Sequence, residues 1–136
     1  MALEAHRYKL PLESIPVDQI NDESTGWDNM VVRWIVTKDT VGSTDHVVGM
    51  TVFPPGSRHH FHRHPNAEEA QYIISGSGIA HLGDVDIQQR EGDTVFVPRN
   101  EVHGFWNNAD TDCVMIWTYG GAASLEDAGF VRVDDE

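Results

Sequence analysis

Cysteine is almost absent from this chain. Cys113 is the only one in 136 residues, so there is no internal disulfide framework, and the usage fits a reducing cytoplasm. Its place in the apolar run Cys113-Val114-Met115-Ile116-Trp117 marks it as a small buried hydrophobe rather than a nucleophile. Basic residues are scarce as well: 9 Lys and Arg stand against 22 Asp and Glu, a net charge of −13. A surface of that sign repels phosphate backbones and anionic headgroups, so neither nucleic acid nor membrane is an expected partner. No run of eighteen apolar residues occurs, which leaves nothing to span a bilayer as a helix. Glu4, His6, Arg7 and Lys9 interrupt the stretch where a secretory signal would be continuous. A soluble, cytoplasmic protein is the expectation.

Helical periodicity is the next absence. Between Met30 and Tyr119 no ten-residue stretch carries a 3.6-residue repeat, which disfavours a parallel α/β sheet. What stands there instead is a series of short runs rich in Val, Ile, Thr and aromatics: Met30 to Thr37, Asp45 to Phe53, Ala70 to Ser75, Ile79 to Leu82, Thr94 to Val97, Val102 to Trp106 and Val114 to Tyr119. Turn sequences such as Pro54-Pro55-Gly56, Ser75-Gly76-Ser77-Gly78 and Glu91-Gly92-Asp93 punctuate them. Many short antiparallel strands bury their edges by packing as two sheets or by closing into a barrel. The length suits one unit, read as an irregular arm over 1–28, a barrel over 29–120 and a C-terminal segment over 121–136. In that last segment Ser124 caps a helical turn, with Asp127 three residues on, before the acidic tail Asp134-Asp135-Glu136.

The chemistry-bearing segment runs from Gly56 to Gly76 and reads GSRHHFHRHPNAEEAQYIISG. His60, His62 and His64 occupy alternate positions, so on a regular strand all three face the interior and His59 faces out. After the Pro65-Asn66 turn a returning strand can bring a carboxylate opposite them. Glu68 and Glu69 have opposite parity, so only one of the two can face inward. Clustered imidazoles with a carboxylate suit a divalent transition metal.

The spacing then resembles a known family. A glycine, five residues, H-x-H, four residues, a glutamate, six residues and a glycine are met by Gly56, His62, His64, Glu69 and Gly76. A second block, a glycine, five residues, a proline, four residues, a histidine, three residues and an asparagine, is met by Gly92, Pro98, His103 and Asn107. Together these resemble the two motifs of the cupins, with Asn100 standing where the second motif has glycine. Asn tolerates the left-handed backbone region well. The resemblance implies an all-β fold, a double-stranded β-helix or jelly-roll barrel with an irregular N-terminal arm. It also implies one divalent transition metal ion, Zn, Fe, Mn or Ni, held by His62, His64, Glu69 and His103.

His60 and Gln71 are the candidate catalytic residues: His60 as a proton-transferring imidazole or a fourth histidine ligand, Gln71 as an amide that orients substrate or supports a ligand. Phe105, Trp117 and Tyr119 are candidate pocket walls. Similar cupins include cyclases, isomerases and lyases, whose metal acts as a Lewis acid. The expected function is accordingly an enzyme of that type on a small organic substrate, aromatic or polyketide-like. An Fe(II)-dependent dioxygenase and a non-catalytic small-molecule-binding cupin are the alternatives. A homodimer is the expected assembly.

Overall fold

A computed structural model describes residues 5–134; the first four residues and the last two of the acidic tail lie outside the described residues. The chain forms β1 (Asp18–Asp22), β2 (Trp27–Val36), α1 (Lys38–Val41), β3 (His46–Phe53), β4 (Arg58–Arg63), β5 (Glu68–Ser75), β6 (Ser77–Leu82), β7 (Val85–Arg90), β8 (Thr94–Val97), β9 (His103–Trp106), β10 (Cys113–Gly120), α2 (Leu125–Ala128) and β11 (Val131–Arg132). All pairings are antiparallel, in the order β7-β6-β9-β4-β2-β3-β10-β5-β8, with β1 added on β2 and β11 on β4. β2 joins the two halves: Trp27 and Asp28 pair with β4, whereas Val31 to Val36 pair with β3. The result is an all-β jelly roll, a nearly closed antiparallel barrel. Among the described residues no helix is long and apolar enough to cross a membrane.

Alternation builds the interior. In β10, Cys113, Met115, Trp117 and Tyr119 are buried while the residues between them are half-buried. In β5 the buried set is Glu69, Gln71 and Ile73, and Glu68, Tyr72 and Ile74 lie outside. This period of two is what a pleated strand with one face on the core requires. The core gathers Trp27, Met30, Val32, Phe53, Ile73, Phe105, Met115 and Trp117 from both halves.

Three elements had no sequence signal, the two-residue β11 among them. β7 reads VDIQQR and is largely exposed; an outermost strand with little to bury lacks the apolar alternation that marks a strand. α1 is one turn held by Thr37, whose hydroxyl accepts from the N–H groups of Asp39 and Thr40, and four residues are too few for a periodic pattern. The cap at Ser124 does open a helix, α2, with its hydroxyl accepting from Asp127 N–H. Asn100 takes φ 67°, the left-handed conformation expected of the residue in the glycine position. Its side-chain carbonyl accepts a 2.6 Å bond from Arg63.

Gly49 shows how closely the cavity wall is built. A Cβ there would lie 2.1 Å from the indole of Trp117, whose Nε1 donates to Thr51 Oγ1 at 2.8 Å. Gly49→Ala therefore has to displace Trp117, and overpacking of this kind costs about 1–3 kcal/mol. Urea denaturation is expected to register that loss, and unchanged stability would show that the indole has room to move.

Candidate metal centre and cavity

His62 lies near the end of β4, His64 just past it, Glu69 at the second residue of β5 and His103 at the first residue of β9. Pairing of His62 with His103 across β4 and β9 brings the first and second motifs together, and the Pro65-Asn66 turn folds Glu69 back against them. All four are buried, at 1–7 % exposure, and one ligating atom from each lies within 4.8 Å of every other. Of the two glutamates, Glu69 faces inward and Glu68 is exposed.

The hydrogen bonds decide which ring nitrogens are offered. His62 Nδ1 lies 2.7 Å from the carbonyl of His60, His64 Nδ1 2.7 Å from that of Gly129, and His103 Nδ1 3.0 Å from that of Glu101. A carbonyl only accepts, so each Nδ1 carries the proton and each Nε2 turns a lone pair inward. Glu69 Oε1 sits 3.1 Å from His103 Nε2 and 3.2 Å from His64 Nε2, and His62 Nε2 has no hydrogen-bond partner. Lone pairs facing a carboxylate at this range repel unless a proton or a cation lies among them. Separations of ~3.4 Å are also those between neighbouring ligands on an ion with ~2.1 Å bonds. The residues present therefore fit a divalent transition metal. Gln71 Nε2 donates to the other carboxylate oxygen of Glu69 at 2.7 Å, which holds the carboxylate's orientation.

The strand carrying the histidines is not regular, and this revises one expectation. Between the pairs His59↔Phe105 and His62↔His103, β4 spends three residue steps where β9 spends two. Such a bulge resets the inward and outward alternation. His59 consequently faces the cavity, its ring stacked 3.9 Å from that of His62 and tilted against Trp27 at 4.3 Å. His60 instead approaches Asp28, at 3.8 Å, and is not among the cavity residues. Parity counted along the strand assigned these two histidines the reverse of their observed directions. His81 lies apart from the cluster, ring-stacked on Phe61 with Nδ1 2.8 Å from Asp86.

The cavity onto which His62, Glu69 and His103 face measures about 370 Å³ including its open mouth. Phe53, Phe105, Trp117 and Tyr119 wall it together with Met30 and Met115, and among the described residues no lysine or arginine lines it.

Residues 49–119 match the family model of the cupin domain. The chain belongs to the cupin family. It is 32% identical over 104 residues to protein SchB of Streptomyces halstedii, covering 76% of this chain and 75% of that protein. It is 28% identical over 103 residues to polyketide synthase CurC of Streptomyces cyaneus, covering 76% and 67%. Among solved structures, the polyketide cyclase RemF of Streptomyces resistomycificus superposes with a TM-score of 0.74 at 19% identity, over 100% of this chain and 88% of that one. At that identity the likeness is one of fold.

Charge in this cupin centre follows from burial and from the cluster itself. Burial pushes the His62 and His59 imidazoles well below their ordinary range, and neighbouring histidines push the same way. Burial acts to raise Glu69, but the facing His103 and His64 overcome it and hold the carboxyl well below the usual carboxylate range. Burial likewise opposes charge on His103, yet Glu69 prevails and raises it. Tyr119 is pushed well above its ordinary value by burial and then by Glu69, so its phenol stays neutral.

A pH dependence of the metal-free protein follows. His59 and His62 take up protons more readily unfolded than folded, so their contribution to stability is lost as pH falls below about 6.5. Glu69, depressed in the folded state, adds a loss that begins below about pH 4.3. His103 opposes both, since its raised value favours the folded state at low pH and that contribution is lost as pH rises. With two lowered histidines against one raised histidine, the melting temperature of the metal-free protein is expected to fall on acidification from pH 7 to 4, and the lowered carboxyl adds to the fall only at the acid end. A flat profile would mean that these groups are solvated.

Proposed function

We propose that this cupin is a metal-dependent enzyme that folds and cyclises a polyketide-like substrate by proton transfer, with His62, His64, Glu69 and His103 holding one Zn, Fe, Mn or Ni ion. The observation that carries the reading is the convergence of three Nε2 lone pairs and one carboxylate inside an aromatic-walled cavity. A polyketide synthase protein among the sequence relatives supports the substrate class. Bound there, the ion would supply Lewis-acid polarisation of a substrate carbonyl.

The chain's own residues take the remaining tasks. Phe105, Trp117 and Tyr119 offer flat apolar faces to a planar substrate and exclude water. Gln71 anchors Glu69. His59, stacked on His62 with a buried Nε2 that has no hydrogen-bond partner, is the imidazole placed to exchange a proton with bound substrate, the task first expected of His60. A lining without lysine or arginine among the described residues suits a neutral polyketone better than an anionic acid.

Elemental analysis of protein purified under argon is expected to find one transition metal per chain. His103→Ala is expected to lose most of it while retaining the barrel by circular dichroism, and Glu69→Gln to weaken binding by about 10-fold or more. Unchanged metal content in His103→Ala would remove that residue from the site. The reaction class is tested by following loss of a synthetic 1,3,5-triketone and appearance of an aromatic ring under argon with the zinc-loaded protein. Turnover under argon is the expected result. Turnover only with iron and dioxygen would favour a dioxygenase, and tight triketone binding without turnover on any of the four metals would favour a binding module.

A further inference from the structure

The family match ends at residue 119, yet the chain beyond it folds back across the metal centre. Several bonds anchor this returning segment. Ala128 carbonyl accepts from Asn66 N–H at 2.9 Å, and Asp127 carbonyl from Asn66 Nδ2 at 3.2 Å. Lys38 Nζ pairs with Asp127 at 3.3 Å. β11 then pairs Val131 with Arg63 and Arg132 with His62 on β4, and Val133 N–H donates to Phe61 carbonyl at 2.8 Å. Between the anchors, Gly129 and Phe130 meet the site. Gly129 carbonyl accepts the 2.7 Å bond from His64 Nδ1, and the Phe130 ring stacks on that of His62 at 4.8 Å and 16°.

The three histidines are not oriented alike. His62 and His103 each bond a carbonyl two residues earlier in the chain, whereas the acceptor for His64 lies 65 residues away. Gly129 adopts φ 79° and ψ 154°, a conformation open essentially to glycine alone. A Cβ there would also stand 3.0 Å from the ring of Pro65. The direction of this one carbonyl thus depends on the absence of a side chain.

We propose that residues 124–132 form a strap that is a working part of the metal centre, with Gly129 as its positioning residue: its carbonyl holds His64 in the tautomer and orientation that present Nε2 to the ion. The proposal rests on the metal-binding reading above. A segment that merely covered a sheet edge would leave the ring nitrogen of His64 to find any acceptor.

The test combines zinc affinity, measured by chelator competition, with 15N NMR of the histidine rings, in the full-length wild type and in Gly129→Ala and Phe130→Ala. In the wild type, His64 is expected to show an exchange-protected Nδ1–H and a zinc-bound Nε2. Gly129→Ala is expected to keep the far-ultraviolet circular dichroism of the barrel, lose that one ring proton and lose about 10–100-fold in zinc affinity. Phe130→Ala, which leaves the carbonyl in place, is expected to keep the protected proton. Zinc affinity in Gly129→Ala within about threefold of wild type, far short of the loss typical for an outer-shell partner, would overturn the positioning role. If Gly129→Ala does not fold, the wild-type spectrum decides, since zinc on Nδ1 of His64, or a freely exchanging Nδ1–H, overturns it equally. A wild type that binds no zinc sinks the metal reading itself, an outcome distinct from a zinc-binding wild type matched by its variant.

Discussion

The structure is organised around a carboxylate buried among imidazole lone pairs. Glu69 lies 3.1 and 3.2 Å from two Nε2 atoms whose rings have already committed their protons to backbone carbonyls. Charge in so dry a place is costly unless it is compensated. A cation is the compensation that satisfies all four donors together, because a single proton can serve only one pair. The remaining features of the interior support this cluster: Gln71 steadies the carboxylate, the paired strands β4 and β9 align two histidines, and aromatic rings keep water away.

Without a compensating cation that arrangement is costly to the fold. Three imidazoles, one carboxylate and an apolar wall make a cluster whose polar groups are held in place by hydrogen bonds to their surroundings. Among the described residues the walls carry no lysine or arginine and are largely aromatic.

Much of the centre was legible in the residues. His62, His64, Glu69 and His103 stand at spacings that bring them together only in a closed sheet, and the buried four-residue cluster is found where those spacings put it. The parity of β5 limited the inward glutamate to one of two, and the structure selects Glu69. The direction of His59 and His60 could not be read. Parity counting assumes regular pairing, and β4 departs from it by a bulge against β9 between His59 and His62. β7 escaped notice for a related reason: as an outermost strand it buries too little to need an apolar pattern.

The sequence by itself determined the class of fold, through strands of period two cut by turn residues, and the chemical type of the site, through imidazoles and a carboxylate at fixed intervals. It also determined the acidic surface, since charge is counted without coordinates. Only the tertiary structure decided which imidazole beyond the four enters the cavity, and that the carbonyl of a glycine near the C-terminus meets His64. A ring nitrogen can bond any carbonyl, every residue has one, and which of them arrives within 2.7 Å is settled by how the whole chain packs.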